Sequence, residues 1–114
     1  VSFFAELPEG AQIAQMRGTV DAIVRRPARV ARTAAEVGGF EAADLAGALV
    51  VFCTGCMLGI GDSVLDVPSS IRAALPDVPF LGVFTFGEQG CTLGGVNHHG
   101  NMMISVLLFG RAKR

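Results

Sequence analysis

Thiol, carboxylate, imidazole and amide side chains gather in two glycine-rich stretches of this 114-residue chain. The first stretch contains a CxxC pair, Cys53 and Cys56. The second stretch, residues 85–101, holds a larger set of polar and reactive residues: Thr85, Gly87, Glu88, Gln89, Cys91, His98, His99 and Asn101. These residue types suit thiol exchange, metal ligation, or hydrogen bonding to a small polar molecule.

The CxxC pair follows an apolar run and precedes a helical pattern, which is where a thioredoxin-type redox motif would stand. Residues 57–61 nevertheless separate the motif from the predicted helix. The helix N-terminus that would lower the pKa of a thiol is therefore expected to lie away from the pair. Two packed, inert thiols are the simpler interpretation, because free cysteine is among the most buried residue types.

A structural zinc site is a second alternative, in which Cys53, Cys56 and Cys91 act together with His98 or His99 as a Cys3His set. A single CxxC without a second paired motif is weak support for zinc. We therefore expect no metal and no cofactor.

Glu88 is the most informative carboxylate, because it follows an apolar strand and is flanked by Gly87 and Gly90, where backbone approaches closely. A carboxylate at a strand end suits the ammonium or hydroxyl group of a small ligand. The alternative is an ordinary solvated loop glutamate.

The elements that would position these residues follow from periodicity and from glycine and proline positions. Strands are predicted at residues 1–7, 47–53, 80–86 and 102–109, with a further short one at 11–17. One helix begins at Thr19 and ends at the glycine pair 38–39, with Pro27 expected to kink or restart it. A second helix is expected within residues 62–75, a glycine-rich turn at 54–61, and a loop at 87–100. We predict an α+β fold, a mixed sheet of about five strands with two main helices; a three-layer α/β arrangement is the alternative.

The order of strand, helix and strand between residues 47 and 86 predicts a parallel crossover. The last two predicted strands, 80–86 and 102–109, are expected to pair antiparallel. Ligands of open α/β sheets collect at the carboxyl ends of parallel strands. The two glycine-rich stretches should therefore meet at one edge of the sheet, where they would form one pocket.

Composition limits the function further. The net charge of −1 provides no field for nucleic acid or an anionic membrane, and the arginines from Arg25 to Arg32 are interpreted as a solvated helix face. The sequence contains no phosphate-binding or hydrolase motif, and we expect neither a leader nor a membrane span. Three cysteines without a secretory signal predict reduced thiols and a cytoplasmic location. With 51% apolar residues, the single domain 1–114 is expected to be part of a larger protein with a partner half.

Three segments of the chain resemble the C-terminal part of the FIST domain: GALVVFCTGC (47–56), VPFLGVFTFGEQG (78–90) and NHHGNMMISVLLFG (97–110). FIST domains are sensory modules of bacterial signal-transduction proteins and of some F-box proteins. One departure is that many members have an arginine soon after the cysteine, where this chain has Gly55-Cys56-Met57.

The resemblance implies binding of a small ligand, with amino acids or related metabolites the usual proposal, and no catalysis by the domain itself. It implies as partners a downstream signalling domain and an N-terminal half. The implied polar core is Cys53, Thr85, Glu88, His99 and Asn101, with Gly87 and Gln89 beside it, and His99 would make binding sensitive to pH near neutrality. The alternatives are the thiol or zinc domain and a structural half-domain that forms a homodimer.

Overall fold

The protein is described from a computed structural model, which covers residues 6–15, 17–91, 94–100 and 102–112. Three α-helices and five strands occur in these ranges. The helices are α1 (Val20–Gly38), α2 (Thr54–Ile60) and α3 (Val67–Ala74), and the strands are β1 (Leu45–Cys53), β2 (Phe80–Thr85), β3 (Gln89–Cys91), β4 (Asn97–His99) and β5 (Ile104–Gly110). Short 3-10 helices at Ala42–Asp44 and Gly61–Asp66 join α1 to β1 and α2 to α3.

The main sheet has the strand order β2-β1-β5, with β1 parallel to β2 and antiparallel to β5. The predicted mixed sheet and α+β class are thus confirmed. The predicted direct pairing of the last two long strands was wrong, because β5 pairs with β1 and β1 separates it from β2. The apolar sequence of β1 explains its central position, since a central strand is the most completely buried. Strands β3 and β4 form a separate antiparallel pair.

Helices α1 and α3 cover one face of the main sheet. Val50 and Phe52 of β1 share this face with Ile104 of β5, and all three are buried in one core with Ile23 of α1 and Ile71 of α3. The described residues therefore form two layers rather than the alternative three-layer arrangement.

The opposite face of the sheet is apolar and largely uncovered. Leu81, Leu107 and Phe109 on this face are each about half exposed or more. Exposed apolar surface of this kind is a common feature of protein interaction sites. Both the predicted partner half and the predicted homodimer would need such a face.

The limits of α1 agree with the prediction. Thr19 is the N-cap, and its hydroxyl accepts a hydrogen bond from the Ala22 N–H at 3.2 Å. Gly39 ends the helix in the left-handed conformation, with φ of 65°. The helix continues through Pro27, which is buried in its interior, so the predicted restart is not seen.

Loss of the Thr19 cap is expected to destabilise the protein. The Thr19→Ala variant leaves one N–H of the first turn without its side-chain acceptor, which costs about 1 kcal/mol in the free energy of unfolding. Thr19→Ser keeps the acceptor and should stay within a few tenths of a kcal/mol of the native protein. Urea denaturation followed by circular dichroism measures both; equal losses in the two variants would contradict the capping role.

Other sequence predictions need correction. Residues 11–15 and 17 are exposed coil rather than a short strand, and none of the described strands pairs with them. Residues 6 and 7 are also coil, and the remainder of the predicted first strand, 1–5, lies outside the described residues. The predicted loop 87–100 contains β3 and β4. Among the residues described, no helix is long and apolar enough to cross a membrane.

Candidate functional site

The candidate site lies at the carboxyl ends of the parallel strands β1 and β2. Cys53, the last residue of β1, is opposite Thr85, the last residue of β2. The Thr85 hydroxyl donates a hydrogen bond to Oε1 of Glu88 at 3.1 Å. A turn through Gly87, at φ of 74°, carries the chain back from β2 so that Glu88 faces this strand end. The structure thus brings together three of the predicted residues: Cys53, Thr85 and Glu88.

Glu88 is only 4% exposed and is the single buried charged residue in the part of the chain that the structure describes. A buried carboxylate is costly unless a cation or several hydrogen bonds compensate it. Its described side-chain partner is the neutral Thr85 hydroxyl. Between described residues the sole ion pair joins Arg25 and Asp21, so none of their cationic groups lies within ion-pair distance of Glu88. The solvated loop glutamate considered from the sequence is therefore wrong.

The CxxC pair occupies the first turn of α2, contrary to the sequence prediction. Most of the stretch predicted as a glycine-rich turn, 54–61, forms α2 (Thr54–Ile60) with Cys53 as its N-cap, so no gap separates the motif from a helix. Glycine lowers helix propensity by about 1 kcal/mol per residue, but burial of Cys56 and Ile60 against the core outweighs this cost.

Both thiols of the pair are buried, with Cys53 3% and Cys56 0% exposed. Burial, together with the charge and the hydrogen bond of the neighbouring Cys53, raises the pKa of Cys56 to about 11. Arg26 lowers this pKa in part, and Glu88 adds to the rise. At neutral pH the Cys56 thiol is therefore protonated and a poor nucleophile. The packed-thiol interpretation fits this environment.

The backbone carbonyl of Met102 connects the thiol pair to α1. It accepts hydrogen bonds from the Cys56 thiol, with a sulfur–oxygen distance of 3.6 Å, and from Nη1 of Arg26 at 2.9 Å. Met102 has a φ of 57°, a left-handed conformation that costs about 1–3 kcal/mol in a residue other than glycine and persists only where surrounding contacts hold it. The segment before β5 is therefore held in place by the thiol and the guanidinium together.

Sequence reasoning missed Arg26, which it assigned to a solvated basic face. A signal for its position was present, because Arg26 follows Ile23 by three residues and precedes Val30 by four, so it lies on the apolar stripe of α1. Arg25 and Arg29 lie off this stripe and are exposed, as predicted.

The remaining predicted residues lie on or beside the β3–β4 pair. Gln89 pairs with His99 and Gly90 with His98 across the two strands, and both histidines, Gln89 and Cys91 are exposed. Asn101 lies outside the described residues. No group of three histidine, cysteine or acidic side chains suited to a metal occurs within the described ranges, so Cys91 and His98 do not join the thiol pair.

One backbone hydrogen bond and one close approach hold the β3–β4 pair beside the site. The Gly100 N–H donates to the Glu88 carbonyl at 2.9 Å. A Cβ on Gly90 would lie 2.9 Å from Oγ of Ser105, so a larger residue at this position of β3 would require the Ser105 side chain of β5 to shift. Any displacement of this pair therefore moves the backbone of Glu88.

A cavity of about 320 Å³ lies elsewhere, at the opposite end of the sheet. Leu45, at the start of β1, and Phe40 and Leu75 line it, and it includes none of the predicted site residues. At the Glu88 site, the Thr85 hydroxyl and the Glu88 carboxylate already contact each other.

Comparison with known proteins gives one family. The sequence model of the FIST C domain matches residues 1–91, which is most of the chain and includes Cys53, Cys56, Thr85 and Glu88. The match ends before the resembling segment 97–110, so it does not test His99 or Asn101. No curated protein and no solved structure matches. The chain belongs to the FIST C domain family, a family of sensory domains associated with signal transduction.

Proposed function

We propose that this domain senses a small molecule carrying a cationic amino group, an amino acid or a related metabolite, and that Glu88 binds that group. The observation that carries the proposal is the burial of Glu88 at 4% exposure, with a neutral hydroxyl partner and no ion pair to a described cationic side chain. An ammonium group would compensate the buried charge through charge-assisted hydrogen bonds, which are about twice as strong as neutral ones.

The immediate surroundings support such a ligand. The Thr85 hydroxyl donates to Oε1 of Glu88, and the ammonium would bind the same carboxylate. The buried side chains of Cys53 and Cys56 lie at this end of β1. Gly87 and Gln89 flank Glu88 in sequence, and His99 faces Gln89 across the β3–β4 pair. Asn101 belongs to the proposal through the family resemblance alone.

Access to Glu88 requires movement, because so little of its side chain is exposed. The β3–β4 pair is the neighbouring element joined to it, through the Gly100–Glu88 hydrogen bond. A ligand at Glu88 would therefore alter the position of this pair, and that change is what a downstream signalling domain would detect. We propose binding without chemical turnover, since the Cys56 thiol beside the site is held protonated and is a poor nucleophile. We also propose a cytoplasmic location, because Cys53 and Cys56 are not joined in a disulfide.

The test is a thermal-shift screen with the twenty L-amino acids and the N-acetyl derivative of each, in which the cation is removed. A ligand at 100 times its Kd should stabilise the native protein by about 2.7 kcal/mol, and its N-acetyl derivative should give almost no shift. Glu88→Gln keeps the size of the side chain and the Thr85 contact but removes the charge, so the shift should disappear.

The matched control is Glu36→Gln, which removes an exposed carboxylate of α1 and should leave the shift unchanged. Unliganded Glu88→Gln should be at least as stable as the native protein, because it no longer buries a charge. That result would separate lost binding from lost folding. Equal shifts in the native protein and Glu88→Gln would remove Glu88 from the proposal.

A further inference from the structure

Arg26 differs from the other arginines of α1. Arg25 is exposed and pairs with Asp21 at 2.8 Å, and Arg29 and Arg32 are exposed. Arg26 is half-buried and donates from Nη1 to the Met102 carbonyl, 76 residues away in sequence. This contact directs its guanidinium to the same backbone oxygen that accepts from the Cys56 thiol.

Arg26 and Glu88 lie beside the same CxxC pair but do not neutralise each other. Arg26 shares the Met102 carbonyl with the Cys56 thiol, and Glu88 accepts from Thr85, whose strand partner is Cys53. The described residues nevertheless contain no ion pair between them within 4.0 Å. The site therefore presents a carboxylate and a guanidinium as separate charges around the buried thiol pair, an arrangement complementary to a molecule with an ammonium and a carboxylate of its own.

The guanidinium has the capacity for a second acceptor. It carries five N–H donors in a planar fork, of which the Met102 carbonyl uses one. The fork matches a carboxylate through two parallel hydrogen bonds, which the point charge of a lysine does not. Holding Nη1 on the Met102 carbonyl orients the plane of the group before a ligand arrives.

We infer that Arg26 is the specificity-determining residue that binds the ligand's carboxylate, so that the domain selects free, zwitterionic α-amino acids over amines and over amino acids with a blocked carboxyl group. The inference rests on the proposed function, since it places the ammonium of the same ligand at Glu88. It adds a residue on α1 to a site otherwise formed by the strand ends and the β3–β4 pair.

The test compares each of the twenty L-amino acids with its α-amide, which keeps the ammonium and removes the carboxylate charge. In the native protein we expect the amide of a binding amino acid to bind about 10- to 100-fold more weakly, as for loss of a hydrogen-bonded charge. In Arg26→Gln the amino acid and its amide should bind equally. Arg26→Lys, which restores the charge but not the fork, should recover part of the preference. Titration calorimetry gives each Kd.

The control is Arg29→Gln on the same helix, which should keep the full preference for the free acid. Comparing acid with amide inside one variant removes any general effect of losing the Met102 contact. Equal binding of acid and amide by the native protein, or an undiminished preference in Arg26→Gln, would overturn the assignment of Arg26 while leaving Glu88 in place. Binding of N-acetyl amino acids as tight as that of the free ones would overturn the Glu88 assignment alone. No shift from any amino acid or amide would overturn both.

Discussion

Unfolding the protein is expected to accelerate the alkylation of Cys56 by iodoacetamide about 100-fold or more at pH 7, because only the thiolate reacts. In the native protein, burial and the neighbouring Cys53 thiol raise the pKa of Cys56 from 9.0 to about 11, so the thiolate fraction at neutral pH falls by two orders of magnitude. Complete burial of the side chain should slow the reaction further. The native rate should rise about tenfold per pH unit until the pH approaches 11.

Peptide mapping by mass spectrometry, after timed alkylation of native and urea-unfolded protein, measures the rate at each cysteine separately. Cys91 is exposed, and its labelling in the native sample shows that the reagent is active. The result decides between two interpretations of the CxxC pair. Native Cys56 that reacts as fast as the unfolded residue would contradict a buried, protonated thiol and would favour the alternative interpretation of the pair as a redox motif.

The parts of the fold that were predictable are those with a local cause. Thr19 and Gly39 mark the ends of α1 because a hydroxyl cap and a left-handed glycine act within one helical turn. The meeting of Cys53 with Thr85 followed from the rule that parallel strands share an edge. The ends of α1 depend on contacts that span few residues. The meeting of the two strand ends depends on a general rule of sheet topology.

The parts that were not predictable depend on contacts between distant segments. Local composition made residues 54–61 resemble a turn, and only packing of Cys56 and Ile60 against the core stabilises α2 there. The position of β5 beside β1 depends on which strand buries β1 best. A local sequence pattern does not predict this choice of neighbour. Arg26 reaches a carbonyl 76 residues away, so its contribution to the site could be suspected from the apolar stripe but not established.

The core between the helices and the sheet should contribute most of the free energy of unfolding. We expect Phe52→Ala to give the clearest measurement of this contribution. The Phe52 side chain is 3% exposed, packs between the sheet and the helices, and immediately precedes Cys53. Phe52→Ala is expected to lower the free energy of unfolding by about 3–5 kcal/mol, through lost burial and the cavity left behind. For a domain whose total stability is about 5–15 kcal/mol, this loss would leave much of the population unfolded at modest urea concentrations.

Phe84 provides a matched control, because the two rings are in contact but differ in burial. Their centroids are 5.8 Å apart at an interplanar angle of 76°, and Phe84 is 51% exposed. Phe84→Ala should therefore cost much less, and the double variant should show a coupling energy of about 0.5–1.5 kcal/mol from the edge-to-face contact. Urea denaturation with a common m-value gives all three losses. A loss at Phe52 no larger than that at Phe84 would contradict a core between helices and sheet. It would also remove the support that holds Cys53 and the strand end beside Glu88.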